Sequence, residues 1–305
     1  MPASFRDILN SRLFKFTVGE KVDGHATEFF VHEEAIVQLS KPLEALMRGG
    51  MSESQAACTV WDDVGKETFE RFVQFAYTGD YTVPTPVSKI RKWDSLDNSE
   101  GLSLISIKDK KKKRLNDQVK SELALALASS KLDLKVEELL SPQRVRYSEL
   151  TSFKFSVDFE CLTFPLIAAR NNYDHTCEPS RTIRPWSSYT NVFIGHAALY
   201  ILGDFRLVDT LKALALYKLH KTLCIFELNH GTLQDVIDLV RYVYAEKGGE
   251  ERSGGEIGAL RGLVCLYMAI NASVLSLDDR FMELLGEGGQ FVKDFFRFEV
   301  QRGSQ

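Results

Sequence analysis

The sequence predicts an α+β fold, with a small unit of short strands and helices first and a mostly α-helical region after it. Three observations carry this. Phe14, Phe16 and Val18 alternate with Lys15 and Thr17, the period of two that marks a half-buried strand. Phe69, Phe72, Val73 and Ala76 fall at i, i+3, i+4 and i+7, which is one face of a helix. Beyond residue 190 apolar residues recur in long segments without strand alternation, as in the helices of a bundle.

The elements follow in order. After the first strand, Gly19 and Gly24 flank a turn, and Thr27, Glu28, Phe29, Phe30 and Val31 form the returning strand. Two short helices are expected at 32–38 and 40–48. Ser40 caps the second, because its oxygen accepts from an otherwise unpaired backbone N–H, and Gly49-Gly50 stops it. A third strand is expected at 57–61, and an amphipathic helix at 68–77 that ends at Thr78-Gly79-Asp80. Burial of each large side chain on that helix contributes about 1.5–3 kcal/mol.

Pro84-Thr85-Pro86 then breaks any helix. The chain continues into the run Lys108, Asp109, Lys110, Lys111, Lys112, Lys113 and Arg114, whose like charges favour an extended, solvated chain. The first 83 residues carry 8 basic and 13 acidic side chains, whereas residues 84–160 carry 15 and 12. The domain organisation read from this is 12–83, a flexible basic linker at 84–114, a helical or partly ordered insert at 115–159, and a helical domain at 160–300. Within the last, helices are expected at 191–205, 207–223, 232–244, 257–269 and 277–285, and Phe291, Phe295, Phe296 and Phe298 close the chain against the bundle. Thr232 with Asp235 suggests a capping box, and Ser276 suggests a cap for the helix at 277.

Composition excludes several classes of function. Of the 305 residues 44% are hydrophobic and 26% charged, with a net charge of −4. That is a globular mixture, not a disordered chain or a protein that coats nucleic acid. No apolar stretch reaches the roughly 18–20 residues of a membrane helix, and the first ten residues have no apolar export core. The five cysteines are scattered and read as reduced thiols of an intracellular protein, in nucleus or cytoplasm.

No catalytic motif is present. There is no G-x-S-x-G elbow, no P-loop and no dinucleotide fingerprint. Cys161, His175, Cys177 and His196 lack the paired spacing of a zinc site. His32 and His196 are the histidines placed best for a base, but a lone histidine on an apolar face usually belongs to the core. Asp62-Asp63 and Asp278-Asp279 are adjacent pairs and do not face each other on a helix. No catalytic residue, metal or cofactor is expected, and no small-molecule substrate.

The first unit resembles a BTB/POZ domain. Phe29, Phe30, Val31 and His32 match that family's "F-x-V-H" entry into its first helix, Ile36 and Ser40 match "L-x-x-x-S", and Gly49-Gly50-Met51-Ser52-Glu53 matches a "G-G-x-x-E" turn. Phe69, Phe72, Phe75, Tyr77, Thr78, Gly79 and Tyr81 match "F-x-x-F-L-x-x-x-Y-T-G-x-Y". Two departures stand out: a long first hairpin loop, and Ser11-Arg12 where the family has an acidic residue. The second half is similar to the helical C-terminal regions of fungal BTB-domain proteins, through Phe193-Ile194-Gly195-His196-Ala197-Ala198-Leu199-Tyr200 and through Leu211-Lys212-Ala213-Leu214-Ala215 with Lys218-Leu219-His220.

The resemblance implies a core that includes Phe29, Val31, His32, Ser40, Phe69, Phe72, Tyr77 and Gly79, and a non-catalytic role in binding other proteins. A homodimer through the BTB unit is one form this takes in the family, although the short stretch before the first strand argues against a strand-swapped one. Met51 and Glu53 stand where cullin-recruiting members carry a hydrophobic-x-Glu tripeptide, which implies a substrate adaptor for a cullin-type ubiquitin ligase. Lys110, Lys111, Lys112, Lys113 and Arg114 suit either nuclear import, and with it a transcriptional co-regulator, or a plain linker. No aromatic residues interleave with the run, so base stacking is not expected of it.

Overall fold

A computed structural model describes residues 4–22, 25–89, 159–166, 175–184, 186–245 and 257–303. The expected basic run and nearly all of the 115–159 insert lie outside these residues.

The chain opens with a helix that the sequence reading missed, α1 (Phe5–Asn10). Ser4 Oγ accepts the Asp7 N–H at 3.2 Å while the Asp7 carboxylate accepts the Ser4 N–H at 3.1 Å, so one turn of sequence satisfies its own orphan donors. β1 (Leu13–Val22) and β2 (His25–His32) form an antiparallel hairpin in the register Phe14↔Val31 and Phe16↔Phe29. The register slips between Val18 and Val22, where Gly19 takes φ +80°. α2 (Glu33–Val37), α3 (Lys41–Arg48) and α4 (Ser52–Ala56) follow. α4 occupies residues read from sequence as a turn. β3 (Cys58–Trp61) lies parallel to β1, giving a mixed sheet in the order β2-β1-β3.

α5 (Lys66–Thr78) covers one face of this sheet. Phe14, Phe16, Val18, Val31, Trp61, Phe69 and Phe72 are all buried there. Phe16 sits 5.0 Å from both Trp61 and Phe69, and Trp61 sits 5.8 Å from Phe72, ring centre to ring centre. The buried face of α5 is shifted from the expected one. Phe75 is buried and Val73 only partly so, because α5 also meets a helix of the second half and wraps its apolar arc further round. Gly79, at φ +74°, ends the helix, a conformation glycine adopts without a Cβ clash.

The second half contains α6 (Thr190–Phe205), α7 (Asp209–Ile225), α8 (Leu233–Tyr244), α9 (Ala259–Ile270), the single turn α10 (Ala272–Leu275), α11 (Asp279–Gly286) and α12 (Gly289–Gly303). α6 packs against α7, α8 and α5, and α9 packs against α7, α8 and α12. Three expected details differ. Thr232 does not cap α8, because its hydroxyl donates to the Glu227 carbonyl at 2.8 Å. Asp235, its expected partner, turns instead to the start of α6, where it accepts from Ser188 Oγ at 2.8 Å and Tyr189 N–H at 2.9 Å. Asp278, not Ser276, caps α11 by accepting the Arg280 N–H. A carboxylate is the stronger acceptor for the positive end of a helix.

The first residues of the expected linker, from Pro84 to Lys89, have a defined position. Residues 84–89 are held along α6: β4 (Val87–Ser88) pairs antiparallel with β5 (Ser187–Ser188), Asn191 Nδ2 donates to the Thr85 carbonyl, and Lys89 Nζ donates to the Gly231 carbonyl at 2.7 Å. Two prolines prevent a helix here without preventing an extended strap. The sheet-bearing part and the helical part belong to one compact unit.

Candidate protein-interaction site

The expected interaction tip is built from below by Arg12. Its guanidinium donates to the Glu33 carboxylate at 2.8 Å, the Met47 carbonyl at 3.0 Å and the Ser54 carbonyl at 2.9 Å. Arg48 grips the other Glu33 oxygen at 2.6 Å, and the two carboxylates of Glu33 and Glu34 raise its pKa. Glu33 is therefore a buried carboxylate between two guanidiniums, an arrangement that offsets its desolvation. The result ties the end of α3, and α4 through Ser54, to the residue before β1. Arg12 is thus the residue that fastens the turn.

On that support Met51 is 69% exposed. It is the residue before α4, and its carbonyl accepts from Ser54 Oγ at 3.0 Å. Glu53 lies in the first turn of α4, where its own backbone N–H and the Ser52 hydroxyl, at 2.9 Å, hold its carboxyl below the usual range. A thioether in solvent beside an ionised, oriented carboxylate is chemically suited to fill an apolar pocket and accept a hydrogen bond at its edge.

The remaining family-matched residues have structural positions. Tyr77 Oη accepts the His32 backbone N–H at 2.9 Å and lies 2.7 Å from His32 Nδ1. Both bonds form together when the phenol donates to Nδ1, so His32 ties β2 to α5. Ser40 Oγ accepts the Leu43 N–H and donates to the Arg206 carbonyl at 2.7 Å. Phe29 is partly buried against Phe69, with ring centres 4.9 Å apart.

Of the two histidines placed best for a base, His32 is partly buried and His196 is embedded; His220 is buried as well. His196 is buried, and its Nδ1 shares a hydrogen bond of 2.9 Å with the Tyr81 hydroxyl. Burial holds its pKa well below normal. Its Nε2 has no hydrogen-bond partner among the described residues. His220 donates through Nε2 to the Phe159 carbonyl at 2.6 Å, and burial lowers its pKa to about 4. One concavity, of about 770 Å3, has the β3–α5 connection, α6 and the end of α8 as its walls, and another, of about 410 Å3, lies between Phe159, Cys224 and Tyr267. Neither is lined by a histidine. No three His, Cys, Asp or Glu side chains gather as metal ligands among the described residues. Asp62 and Asp63 are exposed, and Asp278 is held well below the carboxylate range by Arg280. No described helix is long and apolar enough to cross a membrane.

Sequence reasoning missed a buried polar seam. Lys218, on α7, donates to the Asp80 carboxylate and to the Tyr81 carbonyl at 2.5 Å, and its ammonium lies 4.0 Å from the Tyr81 ring centre. Burial lowers the Lys218 pKa while Asp80 opposes the shift. Asp80, Tyr81, His196 and Lys218 form a chain of contacts joining the end of α5 to α6 and α7. No family model matches the chain, and no curated protein matches it.

Proposed function

We propose that this protein is a non-catalytic interaction module of BTB/POZ type that presents Met51 and Glu53 to a protein scaffold, and that the scaffold is of the cullin class. One observation carries the reading. A methionine that folding leaves in water stands two residues from an oriented, ionised glutamate, on a turn that Arg12 fastens with three hydrogen-bonded partners. The order of elements from β1 to α5, and the burial of Val31, Phe69 and Phe72, are compatible with the fold the resemblance implies.

The experiment is co-purification of the full chain with cullins, comparing wild type with Met51→Ala/Glu53→Ala. Both side chains lie outside the core, so the variant is expected to keep its melting temperature while losing the cullin. Cullin binding unchanged in a folded double variant would falsify the assignment.

A further inference from the structure

The concavity of about 770 Å3 has the size of a small-molecule site, since such sites span about 300–1,000 Å3. Its main wall is one stripe of α6, where Ala198, Ile201, Leu202 and Phe205 recur at i, i+3, i+4 and i+7, the spacing of a single helix face. Val64 adds an apolar wall from the β3–α5 connection. Leu202 and Val64 are buried, whereas Phe205 is 67% exposed. A molecule lodged among these side chains would cover Phe205 as part of its own site.

The polar part of the lining narrows the chemistry of that molecule. Asp63 is its one charged residue, and that charge acts on Arg206: burial lowers the guanidinium pKa and Asp63 opposes the shift. Arg206 is fixed in turn, 4.0 Å from the Trp61 ring centre and 4.7 Å from that of Phe205. The carboxylate thus has its cation, and an ionic ligand of either sign would lose its water without meeting an uncompensated charge. Two hydroxyl side chains complete the lining, Thr68 and Tyr242. Neither is hydrogen-bonded to another described residue. Burial raises the Tyr242 pKa, so the phenol keeps its proton and is a donor without an acceptor.

We infer that this concavity binds an uncharged, largely apolar small molecule that carries a carbonyl or hydroxyl oxygen, with its apolar body against the α6 stripe and its oxygen on the Tyr242 hydroxyl. The lining holds no histidine, cysteine or lysine, and the role inferred is binding, not conversion. The inference does not rest on the interaction-module reading and adds a ligand to it.

The test uses the full chain and fluorescent dyes of similar size. Nile red is uncharged and carries a carbonyl oxygen, Nile blue is a cation on the same ring system, and anilinonaphthalene sulfonate is an anion. Nile red is expected to saturate at one molecule per chain, with its emission moved to shorter wavelength. The two charged dyes are expected to bind about tenfold more weakly. Ala198→Phe, which puts a ring into the concavity, is expected to abolish Nile red binding. Tyr242→Phe removes a hydroxyl without a protein partner and so keeps the fold. It is expected to weaken Nile red about fivefold and to leave unchanged the binding of pyrene, which has no oxygen. Met51→Ala/Glu53→Ala is expected to bind Nile red as wild type does, so loss of cullin binding and loss of dye binding are separate failures. Absence of saturable Nile red binding, unchanged binding in Ala198→Phe or in Tyr242→Phe, or a charged dye that binds as tightly as Nile red overturns the inference. Release of Nile red as the concentration of the chain is raised would overturn it in favour of a second copy that covers the concavity.

Discussion

The ammonium of Lys218 donates to the carboxylate of Asp80, and neither side chain has any exposed surface. The pair joins the end of α5 to the middle of α7, so the two halves of the chain share a charge pair at their seam. Both ions are desolvated, and each is tolerated because the other is there. Removal of one strands its partner in a medium that solvates it poorly, at a cost of about 3–5 kcal/mol. Lys218→Met is therefore expected to lower stability by about that amount in denaturant unfolding. Lys218→Met with Asp80→Asn is expected to cost less than the sum of the two single changes, with a coupling of about 0.5–3 kcal/mol. Strict additivity would show that the pair is not coupled.

Much of this architecture is legible in the sequence, and the exceptions have physical reasons. The alternation of Phe14, Phe16 and Val18 and the spacing of Phe69 and Phe72 locate the sheet and the helix that covers it, because burial on one face imposes those periods. The caps and α1 are less legible. Ser4 and Asp7 form a capping box over one short turn, too short for a hydrophobic period. Thr232 and Asp235 fit a cap by spacing, but the hydroxyl turns back to the Glu227 carbonyl and the carboxylate finds Ser188, from a segment distant in sequence. The Lys218 seam had a readable signal. Leu211, Leu214, Ala215, Lys218 and Thr222 share one face of α7, so a lysine stands at a core position. Its partner, 138 positions away, has no local sequence signal. The concavity beside Phe205 is likewise assembled from segments distant in sequence and has no motif.

Acid is expected to loosen the same core. Burial lowers the His220 pKa from 6.5 in the unfolded chain to about 4 in the folded one, and His196 shifts in the same direction. Between these values the unfolded chain binds a proton that the folded chain refuses. The contribution is complete above pH 6.5 and is lost as pH falls toward 4, at most about 3 kcal/mol for His220. Urea midpoints taken down this range are expected to fall. His220→Asn is expected to start lower at neutral pH, having lost the bond to the Phe159 carbonyl, and to show a shallower decline. Equal slopes for the two proteins would remove His220 as the cause.

Gly195 is expected to tolerate no side chain. An added Cβ would lie 2.6 Å from Pro84 Cγ, and a proline ring has little freedom to yield. Gly195→Ala should lift the 84–89 strap from α6 and cost about 1–3 kcal/mol, the usual range for overpacking. Trypsin is expected to cut after Lys89 sooner in the variant, since that lysine is held by the Gly231 carbonyl and lies 3.5 Å from Asp235. Unchanged cleavage would mean that the strap is held independently of the Gly195 contact.

Arg12 connects stability to the proposed tip. Its planar fork reaches one carboxylate and two carbonyls at once, and a lysine ammonium cannot span all three. Arg12→Lys keeps the charge beside Glu33 but gives up at least one carbonyl. With the side chain partly exposed, the expected loss is about 1–2 kcal/mol. The loss should be local. Hydrogen exchange is expected to quicken for the amides of residues 49–56 and to stay unchanged for α5, whose packing on β1 does not involve Arg12. If Met51 and Glu53 bind a scaffold, its affinity should fall in Arg12→Lys although neither contact residue has changed. A variant with fast exchange across 49–56 and full scaffold affinity would show that the partner orders the turn on arrival, and that Arg12 serves the fold alone.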